Sequence, residues 1–165
     1  FSKILGPGAR LGYVCAPADL LEQLLDHKRD AGTSNLAAMI VAEYLEHHIV
    51  EHTAELCDVL MRKRDILLRA LADQLSDVCR WTQPRGGMFV WVKLPDEIDL
   101  EALAQAAEAE GVLYHPGRNF HSGDEDIPYL RLAFGFPSDD ALLAGTEALA
   151  RAIRTALPAA VAEPG

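Results

Sequence analysis

The stretch "FSKILGPGARLGYVCAP", Phe1 to Pro17, places a serine and a lysine directly before a glycine-rich turn and an arginine. A lysine amine attacks carbonyl carbons when burial or neighbouring cations lower its pKa, which makes Lys3 a candidate nucleophile. The hydroxyl of Ser2 and the guanidinium of Arg10 are donors that suit a phosphate, and the intervening glycines let the backbone approach a ligand closely. The segment therefore predicts a site for a small molecule that carries both an aldehyde and a phosphate.

Composition narrows the classes of protein to which the chain can belong. Its 165 residues, half of them apolar, can bury a core in one domain or in parts of two. The longest apolar run, Leu36–Ala42, is too short to cross a membrane, and a net charge of -10 disfavours binding of this segment to nucleic acid. Three cysteines without CxxC spacing, Cys15, Cys57 and Cys79, favour reduced thiols that fill the core in a cytoplasmic protein.

Hydrophobic periodicity predicts helices in the first half of the chain. Pro17 suits the first turn of a helix that we expect to run to Gly32, after a short buried strand at Arg10–Ala16. Ser34 or Asn35 can cap a second helix, whose inward side chains are expected to be Leu36, Met39, Ile40 and Leu45. A third and longest helix is predicted from apolar residues that recur every three or four positions, at Leu56, Leu60, Ile66, Leu67, Leu71 and Leu75.

The second half of the chain alternates between strands and helices. Met88–Leu94 has the period-two pattern of a strand, and a short strand at Arg80–Thr82 can pair with it. We expect the remaining elements to be a helix at Asp99–Glu110 ended by Gly111, strands at Val112–His115 and Tyr129–Phe134, and a last helix capped by Ser138. This order predicts a mostly helical first part followed by an α+β layer.

Four sequence blocks resemble one protein family, in the family's own order. The opening segment resembles the lysine segment of class I/II, fold-type I aminotransferases, with the pattern S-K-x(4,5)-G-x-R-x-G-Y. The other three resemble that family's small-domain strand, its proline-glycine loop and its carboxylate-binding arginine strand; they are "RWTQPRGGMFVWVKLP", "GVLYHPGRNF" and "YLRLAFGFPS". The nearest branch contains 2-aminoadipate aminotransferases and the aminotransferase-like domains of MocR-type regulators.

The resemblance implies pyridoxal 5'-phosphate as the cofactor and assigns roles to four residues. Lys3 would form the internal aldimine and move a proton at the substrate α-carbon, and Ser2 and Arg10 would hold the cofactor phosphate. Arg131 would bind the substrate carboxylate as a bidentate pair. Strand alternation supports this last role independently, because Arg131 then lies opposite the apolar side chains of Leu130 and Leu132.

The fold that the resemblance implies is α/β: the end of the cofactor-binding large domain, a long linking helix and an α+β small domain. The implied boundaries are 1–54 for the large-domain remnant, 55–158 for the helix and small domain, and 159–165 for a flexible tail. Phe1 leads directly into the glycine cluster, whereas domains usually begin with a dispensable tail. We therefore expect a fragment that is inactive alone, since the family's other cofactor contacts precede the lysine.

The implied function is amino-group transfer between an α-amino acid and a 2-oxo acid by a cytoplasmic homodimer. Two alternatives stay open: a MocR-type regulator that uses the same pocket to bind cofactor and effector, and decarboxylation or elimination with the same cofactor. No metal is expected, because His48 and His52 have ligand spacing but no obvious acidic third ligand. For Arg118 two roles stay open: contact with a substrate side chain or a neighbouring subunit, and a plain exposed arginine.

Overall fold

The computed structural model describes residues 1–30, 32–123 and 125–158. The chain divides into two units, Phe1–Cys57 and Asp58–Gly165. The sequence-based boundary after residue 54 lies three residues earlier than this division. The tail expected at 159–165 lies outside the described residues.

The first unit begins with a short 3₁₀ helix, Pro7–Ala9, and helix α1, Ala18–His27. Helix α1 starts directly after Pro17, as predicted, and carries an acidic residue in its first turn, where the helix dipole favours negative charge. It ends at His27 rather than at the predicted Gly32. Lys28 takes an extended backbone conformation and pairs with Asp30, which directs the chain out of the helix.

The predicted buried strand at Arg10–Ala16 is wrong. These residues form no strand, and the side chains of Tyr13 and Val14 are 79% and 66% exposed. A strand requires a partner for its backbone amides and carbonyls, and none of the described segments pairs with residues 10–16. Apolar composition alone therefore does not make this segment a strand.

Helix α2, Asn35–Leu75, joins the two helices that the sequence analysis separated. The hydroxyl of Ser34 accepts a hydrogen bond from the amide of Ala37 at 3.3 Å, so Ser34 is the cap. No glycine or proline occurs within its 41 residues to interrupt it. The inward orientation expected for Leu36, Met39 and Ile40 is wrong: they are exposed because no described element of the first unit covers them.

The second unit contains a four-stranded antiparallel sheet in the order β1-β2-β4-β3. The strands are β1 at Arg80–Trp81, β2 at Phe89–Lys93, β3 at His115–Pro116 and β4 at Tyr129–Ala133. Strand β3 begins later than the predicted Val112, because the amide of Val112 still donates to the carbonyl of Ala107, at 2.8 Å, across the helix end at Gly111. The other three strands agree with the predicted positions within two residues.

Side chains cap two further helices of this unit, and one of the two caps, Ser138, was predicted. Asp99 precedes α3, Leu100–Ala109, and its carboxylate accepts from the amides of Glu101 and Ala102, each at 2.9 Å. Ser138 precedes α4, Asp139–Ala156, and its hydroxyl accepts from the amide of Ala141 at 3.2 Å. Such caps each stabilise a helix by about 1 kcal/mol.

The core of the second unit lies on one face of the sheet. It contains residues from α2, from the two central strands and from α4, among them Leu71, Leu75, Val90, Val92, Leu130, Leu149 and Ile153. Cys79 is buried with them, and this burial raises the pKa of its thiol to about 11. Cys15 and Cys57 are exposed, so the expected core-filling role holds for Cys79 alone.

Gly117, at the start of the 3₁₀ helix Gly117–Phe120, is buried where no side chain fits. A Cβ there would lie 2.8 Å from side-chain atoms of Ile127 and Tyr129 and 2.9 Å from the backbone oxygen of Tyr129. We expect Gly117→Ala to lower the free energy of unfolding by about 2 kcal/mol, because overpacking against backbone cannot relax easily.

Urea unfolding of the full-length protein tests this expectation, with Gly145→Ala as the matched control. Gly145 lies within α4, and a Cβ there would meet nothing within 4 Å. The control should raise the free energy of unfolding by up to about 1 kcal/mol, since alanine is the better helix former. Equal urea midpoints for Gly117→Ala and Gly145→Ala would contradict the steric explanation.

Candidate active site

The lysine segment folds into a turn held by its own backbone. The carbonyl of Phe1 accepts from the amides of Ile4, Leu5 and Gly6 at 3.2, 2.9 and 3.4 Å. Gly6 has a φ of 148°, a conformation that favours glycine. Lys3 therefore lies within a turn held by backbone hydrogen bonds, and we call residues 1–11 the lysine loop.

The three predicted cofactor residues all belong to this loop. Lys3 and Arg10 are exposed, and Ser2 is half-buried. Arg10 has a φ of 46°, in the left-handed region, and follows the 3₁₀ helix at Pro7–Ala9. Among the described residues, no side chain forms a hydrogen bond or ion pair with the Ser2 hydroxyl, the Lys3 amine or the Arg10 guanidinium.

This donor set fits a ligand with an aldehyde and a phosphate. An amine, a guanidinium and a hydroxyl occur within ten residues, and the loop supplies no acidic side chain to neutralise the two cations. Lys28, a lysine of the same unit, is in contrast paired with Asp30. The desolvation that we expected of the Lys3 amine is not provided by this chain, because the lysine side chain is exposed.

Arg131 lies at the centre of the sheet in the second unit. It pairs in register with Trp91 of β2 and with His115 of β3. The predicted alternation of β4 is confirmed, because Leu130 and Leu132 are 0% and 9% exposed on the core side and Arg131 lies on the other face. Strand geometry thus fixes which way this guanidinium points.

Aromatic rings lie against the Arg131 guanidinium. Its central carbon lies 4.0 Å from the centre of the Phe89 ring and 4.1 Å from that of Phe120. Its Nε is buried and has no hydrogen-bond partner among the described residues. Burying a cationic donor without a hydrogen-bond partner costs free energy. The contacts with the two rings attract the guanidinium but do not neutralise its positive charge. Arg131 is therefore available to an anion from outside the chain.

The sequence analysis did not assign Phe89 and Phe120 to this site. The alternation of β2 places Phe89 and Trp91 on the same face as Arg131, a signal that was present in the sequence. Trp91 stacks on Tyr129 with ring centres 5.3 Å apart, and its edge meets Phe120 at 5.8 Å. This face is thus an aromatic surface that contains the Arg131 cation.

Other candidates contribute less to this site. Arg118 is exposed and pairs with Asp126 at 3.4 Å, consistent with a surface role. In the parts of the chain that the structure describes, no three acidic, histidine or cysteine side chains converge on a possible metal position. No helix within the described ranges combines the length and the apolarity needed to cross a bilayer.

The sequence matches the model of one protein family, "Aminotransferase class I and II", over residues 1–144. The chain belongs to the class I and II aminotransferase family. The match includes the lysine loop and the β4 arginine, and the resemblance inferred from the four sequence blocks is confirmed.

Both enzymes and regulators are among the aminotransferase relatives. The chain is 33% identical over 157 residues to the aromatic-amino-acid aminotransferase 1 of Thermococcus litoralis, with 93% of this chain and 38% of that protein covered. It is 35% identical over 144 residues to the HTH-type transcriptional regulator NorG of Staphylococcus aureus, with 85% of this chain and 32% of NorG covered. The chain thus spans about two fifths or less of the length of these curated relatives.

A solved aminotransferase has the same fold. The α-aminoadipate aminotransferase LysN of Thermus thermophilus, crystallised with N-(5'-phosphopyridoxyl)-L-leucine, superposes with a TM-score of 0.86 at 32% identity, over 93% of this chain and 40% of LysN. The predicted fold class, the α/β fold of the fold-type I aminotransferases, is confirmed by this similarity.

Proposed function

We propose that this chain provides the cofactor lysine and the carboxylate-binding arginine of a pyridoxal-phosphate-dependent aminotransferase. The enzyme moves an amino group between an α-amino acid and a 2-oxo acid. The observation that carries the proposal is Arg131, whose guanidinium rests on two rings and whose buried Nε has no partner among the described residues. Both substrates carry the planar carboxylate that an arginine fork binds with two hydrogen bonds.

The lysine loop supplies the residues for pyridoxal 5'-phosphate. When bound, this cofactor contributes an aldehyde carbon and a ring that withdraws electrons from the substrate. Lys3 would be the amine for the aldehyde, and the charge of Arg10 and the hydroxyl of Ser2 would hold the phosphate. The absence of an acidic partner for these groups within the described residues supports these roles.

Arg131 and Lys3 have different roles in the proposed reaction. Arg131 binds the carboxylate of the amino acid and so orients the α-carbon and its amino group. Once the substrate's amino group had displaced it from the aldehyde carbon, the Lys3 amine would take the proton from the α-carbon as a base and, as an acid, would give it up at the former aldehyde carbon. The 2-oxo acid would react by the same steps in reverse, because it carries the same carboxylate for Arg131 to bind. In this proposal the protein is a cytoplasmic homodimer, as the resemblance implies.

A ligand-sensing regulator is the second candidate. The 35% identity to NorG, an HTH-type transcriptional regulator, favours it. Such a protein would use the same residues to bind cofactor and an amino-acid effector without turnover. The two candidates therefore differ in catalysis and in partners rather than in the residues of this chain.

Borohydride trapping of the full-length protein tests the proposal. After incubation with pyridoxal 5'-phosphate, reduction should fix a phosphopyridoxyl group on the peptide that contains Lys3. A panel of amino acids with a 2-oxo acid acceptor then separates an enzyme from a sensor, because only the enzyme produces a new amino acid. Labelling of other lysines at a level equal to that of Lys3 would contradict the assignment.

A further inference from the structure

A histidine of α2 contacts the lysine loop. Nε2 of His52 lies 2.8 Å from the carbonyl oxygen of Ile4, the residue after Lys3. Nδ1 of the same ring lies 3.2 Å from the hydroxyl of Tyr44. The ring of Tyr44 meets that of His52 edge-on, with centres 5.7 Å apart. Both polar atoms of the imidazole are thus in hydrogen-bond contact.

The partners fix how the neutral imidazole is protonated. A carbonyl oxygen only accepts, so Nε2 must carry the hydrogen that is donated to Ile4. Nδ1 is then an acceptor, and the Tyr44 hydroxyl donates to it. A directed chain of two hydrogen bonds therefore runs from Tyr44 through His52 to the backbone beside Lys3.

The loop's own hydrogen bonds do not tie it to the helix. They connect the carbonyl of Phe1 to the amides of Ile4, Leu5 and Gly6, all within the loop. They hold the turn closed but leave its position on α2 undetermined. The His52 contact fixes that position one residue away from the amine, across 48 residues of sequence.

We propose that His52 is a positioning residue for Lys3 and that Tyr44 holds His52 in the required tautomer. This inference rests on the proposed function, because it concerns the amine that this function uses. A reactive group that is held in place reacts faster than one that must be ordered first. His52 touches neither substrate nor cofactor in this role; it acts through the backbone of Ile4.

The chain offers matched variants for a test in the full-length protein. His52→Ala removes the donor, whereas His52→Gln keeps an N–H that can reach a similar position. Tyr44→Phe keeps the ring and removes the hydroxyl. His47→Gln is the control, because His47 lies on the same helix and its contacts are with Glu43, at 3.9 Å, and with the ring of His48, whose centre is 6.4 Å away.

Trapping kinetics give the first measurement. We expect His52→Ala to slow borohydride-trapped labelling of Lys3 by pyridoxal 5'-phosphate about five- to tenfold, which corresponds to the loss of one hydrogen bond of about 1 kcal/mol. His52→Gln should restore the rate to within about threefold, Tyr44→Phe should slow it by less than His52→Ala, and His47→Gln should leave it unchanged. KM for the amino acid should not change, because Arg131 is untouched.

Hydrogen exchange without cofactor gives the second measurement. His52→Ala should raise amide exchange in the peptide covering residues 1–11 while exchange in the sheet peptides stays constant. If wild-type protein is not labelled at Lys3, the proposed function fails, and the His52 anchor is then judged by exchange alone. Exchange in residues 1–11 that is equal in wild type and His52→Ala, or equal loss of labelling in the Ala and Gln variants, would overturn the inference.

Discussion

Lys3→Ala in the full-length protein is expected to lower kcat for amino-group transfer by about 10³-fold. A positioned acid or base contributes about 10² to 10⁴ to a rate, and in the proposed reaction the Lys3 amine moves the proton at the α-carbon in both half-reactions. KM for the amino acid should change by less than about threefold, since carboxylate binding by Arg131 remains. Steady-state kinetics with saturating cofactor measure both constants.

Lys28→Ala is the control for this prediction. Lys28 is an exposed lysine of the same unit whose amine is paired with Asp30 rather than left for a ligand. Its removal should leave kcat and the trapped label unchanged. Addition of a small primary amine to Lys3→Ala should restore part of the turnover, because a free base can replace the missing one. Turnover above one tenth of wild type without added amine would refute the role of Lys3.

Arg131→Gln is expected to raise KM for the amino acid and for the 2-oxo acid by about 10²-fold. The substitution removes the charge and the fork, and each charge-assisted hydrogen bond contributes about 1.5–3 kcal/mol. Glutamine still offers one neutral donor, which leaves a net loss of about 3 kcal/mol from two bonds. The KM values of Arg131→Lys should lie between those of the wild type and those of Arg131→Gln, because lysine keeps the charge but lacks the planar fork.

Arg151→Gln controls for the loss of an arginine from the second unit. Arg151 lies on α4, and its guanidinium is bound by Glu110 at 2.7 Å. This surface pair contributes at most about 1 kcal/mol to stability and should not affect KM. If Arg131→Gln changes the unfolding midpoint but not KM for either substrate, Arg131 is a structural residue and the proposed carboxylate site is wrong.

The elements of the second unit were predicted well from the sequence, because its strands and helices bury each other's apolar faces. The period-two pattern of β4 places Leu130 and Leu132 in the core and leaves Arg131 on the opposite face, as the structure shows. The Ser138 cap was predicted because its hydrogen bond is local in sequence. Phe120 was missed, because its contact with Arg131 depends on the pairing of β3 with β4.

The first unit shows where sequence patterns are insufficient. Leu36, Met39 and Ile40 have helical spacing, but spacing gives a shared face and not the element that covers it. The same holds for residues 10–16, whose apolar character predicts a strand only if a neighbour pairs with them. The His52 contact could not be predicted either, since it joins residues 48 positions apart through a single carbonyl.

The backbone of Arg10 links conformational cost to binding. A left-handed φ of 46° is unfavourable for any residue with a side chain, by about 1 kcal/mol relative to glycine. The conformation of the loop is consequently less stable than it would be with glycine at position 10. In the proposed function, binding of the cofactor phosphate by the guanidinium would offset that cost, so part of the binding energy would go into stabilising the loop.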